Sequence, residues 1–135
     1  SSISSGIFLT SGSSADIRNN SIVNNLGIIS DSAYGSCAIY TQNSNAQFLN
    51  IDYNNYFVNP SGNGVKAIGK ISTNSSLTLS AWKIATGKDR SSLNYISGYT
   101  SDSDLMPDVT SSNSWSLNGR GSQLISVYND YISRK

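Results

Sequence analysis

Two stretches decide how this chain folds: Gly6-Ile7-Phe8-Leu9 and, 32 residues later, Ala38-Ile39-Tyr40-Thr41. Each is a short apolar run closed by polar turn residues. Working outward, the match continues at an offset of 31, which places Ala15 on Ala46, Ile17 on Phe48, Asn19 on Asn50 and Ile22 on Tyr53. Self-similarity at such a period is the mark of a stacked architecture, in which each unit buries its apolar positions against those of the next. The apolar runs are only two or three residues long, shorter than the strands of a hairpin-built sandwich. Asn recurs between them, and it suits corners because it tolerates the left-handed backbone and bonds its own main chain. At matched positions Asn side chains can also bond from one layer to the next.

Composition supports a β reading and removes several chemistries. Ser 29, Asn 16, Thr 7 and Gly 11 make up nearly half of the 135 residues, and only 13% are charged. All eight acidic residues are Asp and there is no His. Without His there is no Ser-His-Asp or Cys-His catalysis and no imidazole metal ligand. Without Glu a helical bundle loses its commonest surface acid. A net charge of +1 on scattered cations argues against nucleic acid as a partner. No apolar run is long enough for a helical membrane span. Cys37 is the single cysteine and reads as a small core residue.

The texture changes after Pro60. The whole chain, 1–135, reads as one unit, with repeat coils over 1–59 and a helix-bearing part over 60–135. Ser80-Ala81-Trp82-Lys83-Ile84-Ala85-Thr86-Gly87 predicts a short helix, capped by Ser80, stopped by Gly87 and anchored by Trp82. Tyr95-Ile96, Leu105-Met106 and Leu124-Ile125-Ser126-Val127 read as further short strands, and Trp115 as a second core anchor.

Four motifs in this order carry a family resemblance. Asp52-Tyr53-Asn54-Asn55-Tyr56-Phe57 resembles a strand-ending motif of the right-handed parallel β-helix proteins secreted by Bacteroidetes-type bacteria. Leu79 to Asp89 resembles the L-x-x-W-x-x-x-T-G-x-D helix of that group. Asp104-Leu105-Met106-Pro107 matches a D-L-x-P motif, and Trp115 to Gly121 is similar to W-x-x-N-G-R-G. The resemblance covers roughly residues 6–135. It implies an all-β fold related to pectate lyases: a right-handed parallel β-helix, a solenoid of about four to five coils with one short α-helix packed outside. It also implies an extracellular or cell-surface location and, for Arg120, a role pinning the last coil through carbonyl bonds. The Ser start and the uncapped ends read as a piece of a longer protein. The rest of the parent chain, or self-association through open coil ends, is then the expected cover.

Function is read from the side chains that could carry it, since a fold hosts many activities. No catalytic residue is assigned. Tyr53 and Tyr56 are the candidate ligand-binding residues, three apart in extended chain and so on opposite faces, one inward and one free to stack on a sugar. Asp102, Asp104 and Asp108 are the candidate metal ligands, with Ca²⁺ the ion their spacing would suit. Asp89-Arg90 reads as a helix-end salt bridge or turn. The expected role is a non-catalytic structural or adhesive segment in contact with polysaccharide. The alternatives are a terminal piece of a polysaccharide lyase or glycoside hydrolase, and a carbohydrate-binding module.

Overall fold

The computed structural model of the chain describes residues 3–26, 35–62, 64–101, 103–117 and 120–122. The first tier of strands is β1 (Ser4–Leu9), β2 (Ala15–Arg18) and β3 (Ser21–Asn24). The second tier is β4 (Gly35–Thr41), β5 (Phe48–Asp52) and β6 (Asn55–Val58). Then come β7 (Val65–Ile71), β8 (Asn74–Ser76), helix α1 (Leu79–Thr86), β9 (Tyr99–Ser101) and β10 (Asp104–Pro107). Strands β1, β4 and β7 pair in parallel, as do β2 with β5 and β3 with β6.

The repeat therefore fixes real pairings, and its register is correct at one strand and slips at the next. Ile7 sits on Ile39, an offset of 32. Ala15 sits on Phe48 and Ile17 on Ile51, offsets of 33 and 34 where the sequence match gave 31. Two causes add up. The connection from Thr41 to Phe48 is one residue longer than that from Leu9 to Ala15 and includes a 3₁₀ turn at Asn45–Gln47. A bulge then leaves Leu49 unpaired and exposed. Gln47 is buried at the turn, where its Nε2 donates to the Thr10 and Ser13 carbonyls. Its Oε1 accepts from Thr41 Oγ1.

A right-handed β-helix of four to five coils is not what forms. The described residues make one four-stranded sheet in the order β1-β4-β7-β8 and three two-stranded sheets, mixed parallel and antiparallel, with no closed or solenoid sheet. The reason is local. After Ile71 a tight turn, with Ser72 at φ 54°, sends β8 back antiparallel to β7. The chain then enters α1, and β9 and β10 pair only with each other, antiparallel. The strand expected at Tyr95-Ile96 is absent, and those two side chains are exposed. The Gly27-Ile28-Ile29 and Leu124–Val127 segments lie outside the described residues.

One cluster of buried residues joins the tiers: Ile17, Ile22, Ile39, Phe48, Ile51 and Tyr56 with Trp82. Thr78, not Ser80, caps α1, its side chain accepting from the Ala81 amide. Gly87 ends the helix in the left-handed region at φ 67°, where a side chain would be strained. Eight residues make a marginal helix alone. Trp82 holds it in place, fully buried and edge-on to Phe48 at 5.7 Å. Its ring occupies the space that a β-carbon on Gly69 of β7 would need. Cys37 is buried, and burial pushes its thiol up to about 11, so it is a packed and unreactive group.

Candidate functional site

The turns that join β2 to β3 and β5 to β6 lie one above the other. Arg18 pairs with Asp52, and the next residues, Asn19 and Tyr53, both take left-handed backbone, at φ 61° and 57°. The residue after each is Asn. Asn54 is buried and bonds in every direction: its Oδ1 accepts from the Asn20 amide (3.0 Å) and side chain (3.1 Å), and its Nδ2 donates to the Ile17 carbonyl. The Asn54 backbone N–H donates to Ser92 Oγ, extending the column to the next segment. This is the corner chemistry that the Asn-rich sequence predicts.

The two tyrosines part company here. Tyr56 is fully buried, and its hydroxyl donates to Asp89 Oδ2 at 2.6 Å, so no face is open to a ligand. Burial and the Asp89 charge raise its pKa. Tyr53 is 37% exposed and stands between two concavities. One, of about 170 Å³, is lined by Asn19, Asn20, Asn55 and Arg120. The other, of about 360 Å³, is lined by Arg18, Asn50, Asp52, Lys88 and Arg90. Arg120 is exposed at the rim of the first.

The acids around Tyr53 are committed. Asp16 holds Arg18 through paired bonds of 2.6 Å and accepts from Asn50 Nδ2, and these bonds keep its carboxyl below its usual range. Asp52 Oδ1 accepts from the Tyr53 and Ser91 amides at 2.9 and 2.7 Å, which fixes the turn. Asp89, expected with Arg90 in a helix-end salt bridge or turn, is buried just beyond the helix end at φ 64°, its carbonyl accepting from the Ser92 amide. It accepts from Tyr56, from Trp82 Nε1 at 2.7 Å and from Ser92 Oγ. Burial raises its pKa against the opposing pull of those donors. The sequence hides this node, because Tyr56 and Trp82 lie 33 and 7 residues away from Asp89.

The acidic cluster distributes differently. Asp104 Oδ1 accepts from the Met106 amide, and Asp108 Oδ1 accepts from the amide and hydroxyl of Thr110, which lowers the Asp108 pKa. Both carboxylates close their own turns, and Asp102 lies outside the described residues. Among the described residues no group of three acidic, Cys or His side chains could hold a metal ion.

Trp115, expected in the core, is 71% exposed. A 3₁₀ turn at Ser112–Ser116 turns Ser114 inward, where its Oγ donates to the Gly98 carbonyl. Trp115 is left lining an apolar concavity of about 320 Å³ with Pro107, Val109 and Leu117. Leu117 also borders the Tyr53 cavity.

Comparison with known proteins gives no matching family model, no matching curated protein and no matching solved structure. Among the described residues no helix is long and apolar enough to cross a membrane.

Proposed function

We propose that this chain is a non-catalytic, polysaccharide-contacting segment of an exported bacterial protein, with Tyr53 as the stacking platform. The observation that carries the reading is Tyr53 itself. The preceding tier fills the same corner with Asn19, a residue at ease in left-handed backbone, whereas Tyr there is strained. Tyr53 is partly exposed between two concavities lined by Asn, Arg and Lys side chains. An aromatic face flanked by amides and guanidinium groups suits a sugar, whose C–H face stacks while its hydroxyls bond. The acids nearby argue for binding over hydrolysis, which needs two carboxylates free to act across a cleft. Asp16 and Asp52 are held by Arg18 and by backbone amides, and Asp89 is buried. Export and a cell-surface location rest on the four sequence motifs alone. The proposed partners are polysaccharide, the rest of a parent chain and a second copy.

The test is a glycan array probed with the protein and with Tyr53→Ala, beside incubation with acidic and neutral polysaccharides. Binding lost in the variant, with no product formed, supports the reading. A blank array with the intact protein, binding indifferent to Tyr53, or any cleavage product overturns it.

A further inference from the structure

Trp115 is displayed by a loop that is bonded on either side of it. Asp108 Oδ1 holds Thr110 through its amide and hydroxyl, and the Asp108 amide donates to the Gly98 carbonyl at 3.1 Å. Ser111 Oγ caps the 3₁₀ turn by accepting from the Asn113 amide, and Ser114 Oγ donates to the same Gly98 carbonyl at 2.7 Å. A β-carbon on Gly98 would lie 2.7 Å from Ser111 Oγ, so the loop packs closely on its anchor. Successive residues of such a turn point about 120° apart. A buried Ser114 therefore turns Trp115 outward, where it is 71% exposed, and Val109, between two bonded residues, is 87% exposed.

The concavity that these two side chains line is continuous with the Tyr53 site. It measures about 320 Å³, and its Leu117 wall is also a wall of the concavity of about 170 Å³ beside Tyr53. Alone, the smaller one falls below the roughly 300–1,000 Å³ of a ligand site, and joined to its neighbour it falls within that range. The two linings differ in character. Asn19, Asn20 and Arg120 put polar side chains at the Tyr53 end, whereas Trp115 and Val109 offer π and C–H surface at the other. A carbohydrate chain carries both characters along its length, because each sugar ring has hydroxyls at its rim and an apolar C–H face.

We infer that Trp115 is a second stacking platform, and that the site takes a polysaccharide chain of several sugar units laid from Tyr53 across Leu117 to Trp115. The inference rests on the reading of Tyr53 as a sugar platform and extends it from a single ring to a chain. Stacking at both ends links the two contacts through one molecule, so affinity rises with chain length.

The experiment is calorimetric titration with disaccharides and hexasaccharides of cellulose, xylan and polygalacturonate, beside acrylamide quenching of tryptophan emission and circular dichroism to confirm folding. The chain has two tryptophans and Trp82 is fully buried, so quenching reports Trp115. A hexasaccharide should bind more tightly than its disaccharide and shield Trp115 from acrylamide. Trp115→Ala should lower hexasaccharide affinity roughly tenfold, close to that of the disaccharide. Val109→Asp, an exposed change in the same concavity, should do likewise and decides the matter if Trp115→Ala does not fold. Tyr53→Ala should weaken both lengths. A Trp115 already shielded in the free protein, by the chain's own residues or, at high concentration, by a second copy, overturns the inference. So does a hexasaccharide that binds no better than its disaccharide, or a Trp115→Ala variant that binds it as the intact protein does. Those results leave the Tyr53 reading standing, whereas failure of every sugar to bind overturns both.

Discussion

Gly69→Ala is the sharpest probe of how α1 is held to the sheet. A β-carbon at residue 69 would lie 2.3, 2.4 and 2.7 Å from three carbons of the Trp82 ring, distances real atoms do not adopt. The ring cannot yield cheaply. It is fully buried, it meets Phe48 edge-on, and its Nε1 donates to the buried Asp89 carboxyl at 2.7 Å. If the strand shifts instead, the cost is that of overpacking, about 1–3 kcal/mol. If the ring swings away, the fold loses a charge-assisted hydrogen bond, about 1.5–3 kcal/mol. Either route gives roughly 2–3 kcal/mol, against a small gain from Ala over Gly in a strand. For a domain of this size that is a fall in Tm of about 10 °C. Urea unfolding followed by tryptophan fluorescence reads both stability and ring environment. A loss under about 0.5 kcal/mol, with unchanged emission, would refute the close packing on which the argument rests.

Asp89 links stability to pH. Its folded pKa is raised by burial, so the folded state holds the proton more tightly than the unfolded chain. The cost of the buried charge is fully present above the folded pKa and is relieved as pH falls through it towards 3.8. Denaturation curves between pH 7 and pH 4 should therefore show the intact protein gaining stability relative to Asp89→Asn; a constant difference contradicts the assignment. Thr78→Ala should cost about 1 kcal/mol in the same assay, because Thr78 Oγ1 caps the Ala81 amide, whereas Ser80→Ala should be near neutral.

The parts of the fold legible in the sequence are those written by burial. Ile7 and Ile39 share a position because both must face the core, and apolar identity carries that information directly. The slip at β5 was hidden, since Leu49 is as apolar as its neighbours yet is the extra residue pushed outward. The number of stacked units was hidden too. The reversal after Ile71 depends on Ser72 adopting positive φ, which Ser does not announce. For α1, both Thr78 and Ser80 are good caps by residue type, and the structure uses Thr78. Trp115 misleads in the opposite direction, because size and hydrophobicity alone do not place a ring inside. In the Asp89 node Trp82 and Ser92 are near in sequence, but Tyr56 lies 33 residues away, and no local pattern brings it in.

At the stacked corners the structural bonding falls to the residues beside Tyr53. Asn20 and Asn54 do the structural bonding, layer to layer and into the core, and Asp52 fixes the turn through two backbone amides. Asn19 takes the same left-handed backbone as Tyr53 and uses its side chain to bind the Ser122 backbone at 2.6 and 2.7 Å. A large aromatic in that conformation costs on the order of 1–2 kcal/mol. Strain of this kind persists where the surroundings over-determine it, and at such places it is commonly tied to use. Tyr56, three residues on, has the same chemistry and the opposite placement, so its contribution is to stability. The pair thus places one tyrosine in the core and the other at the surface within a single short motif.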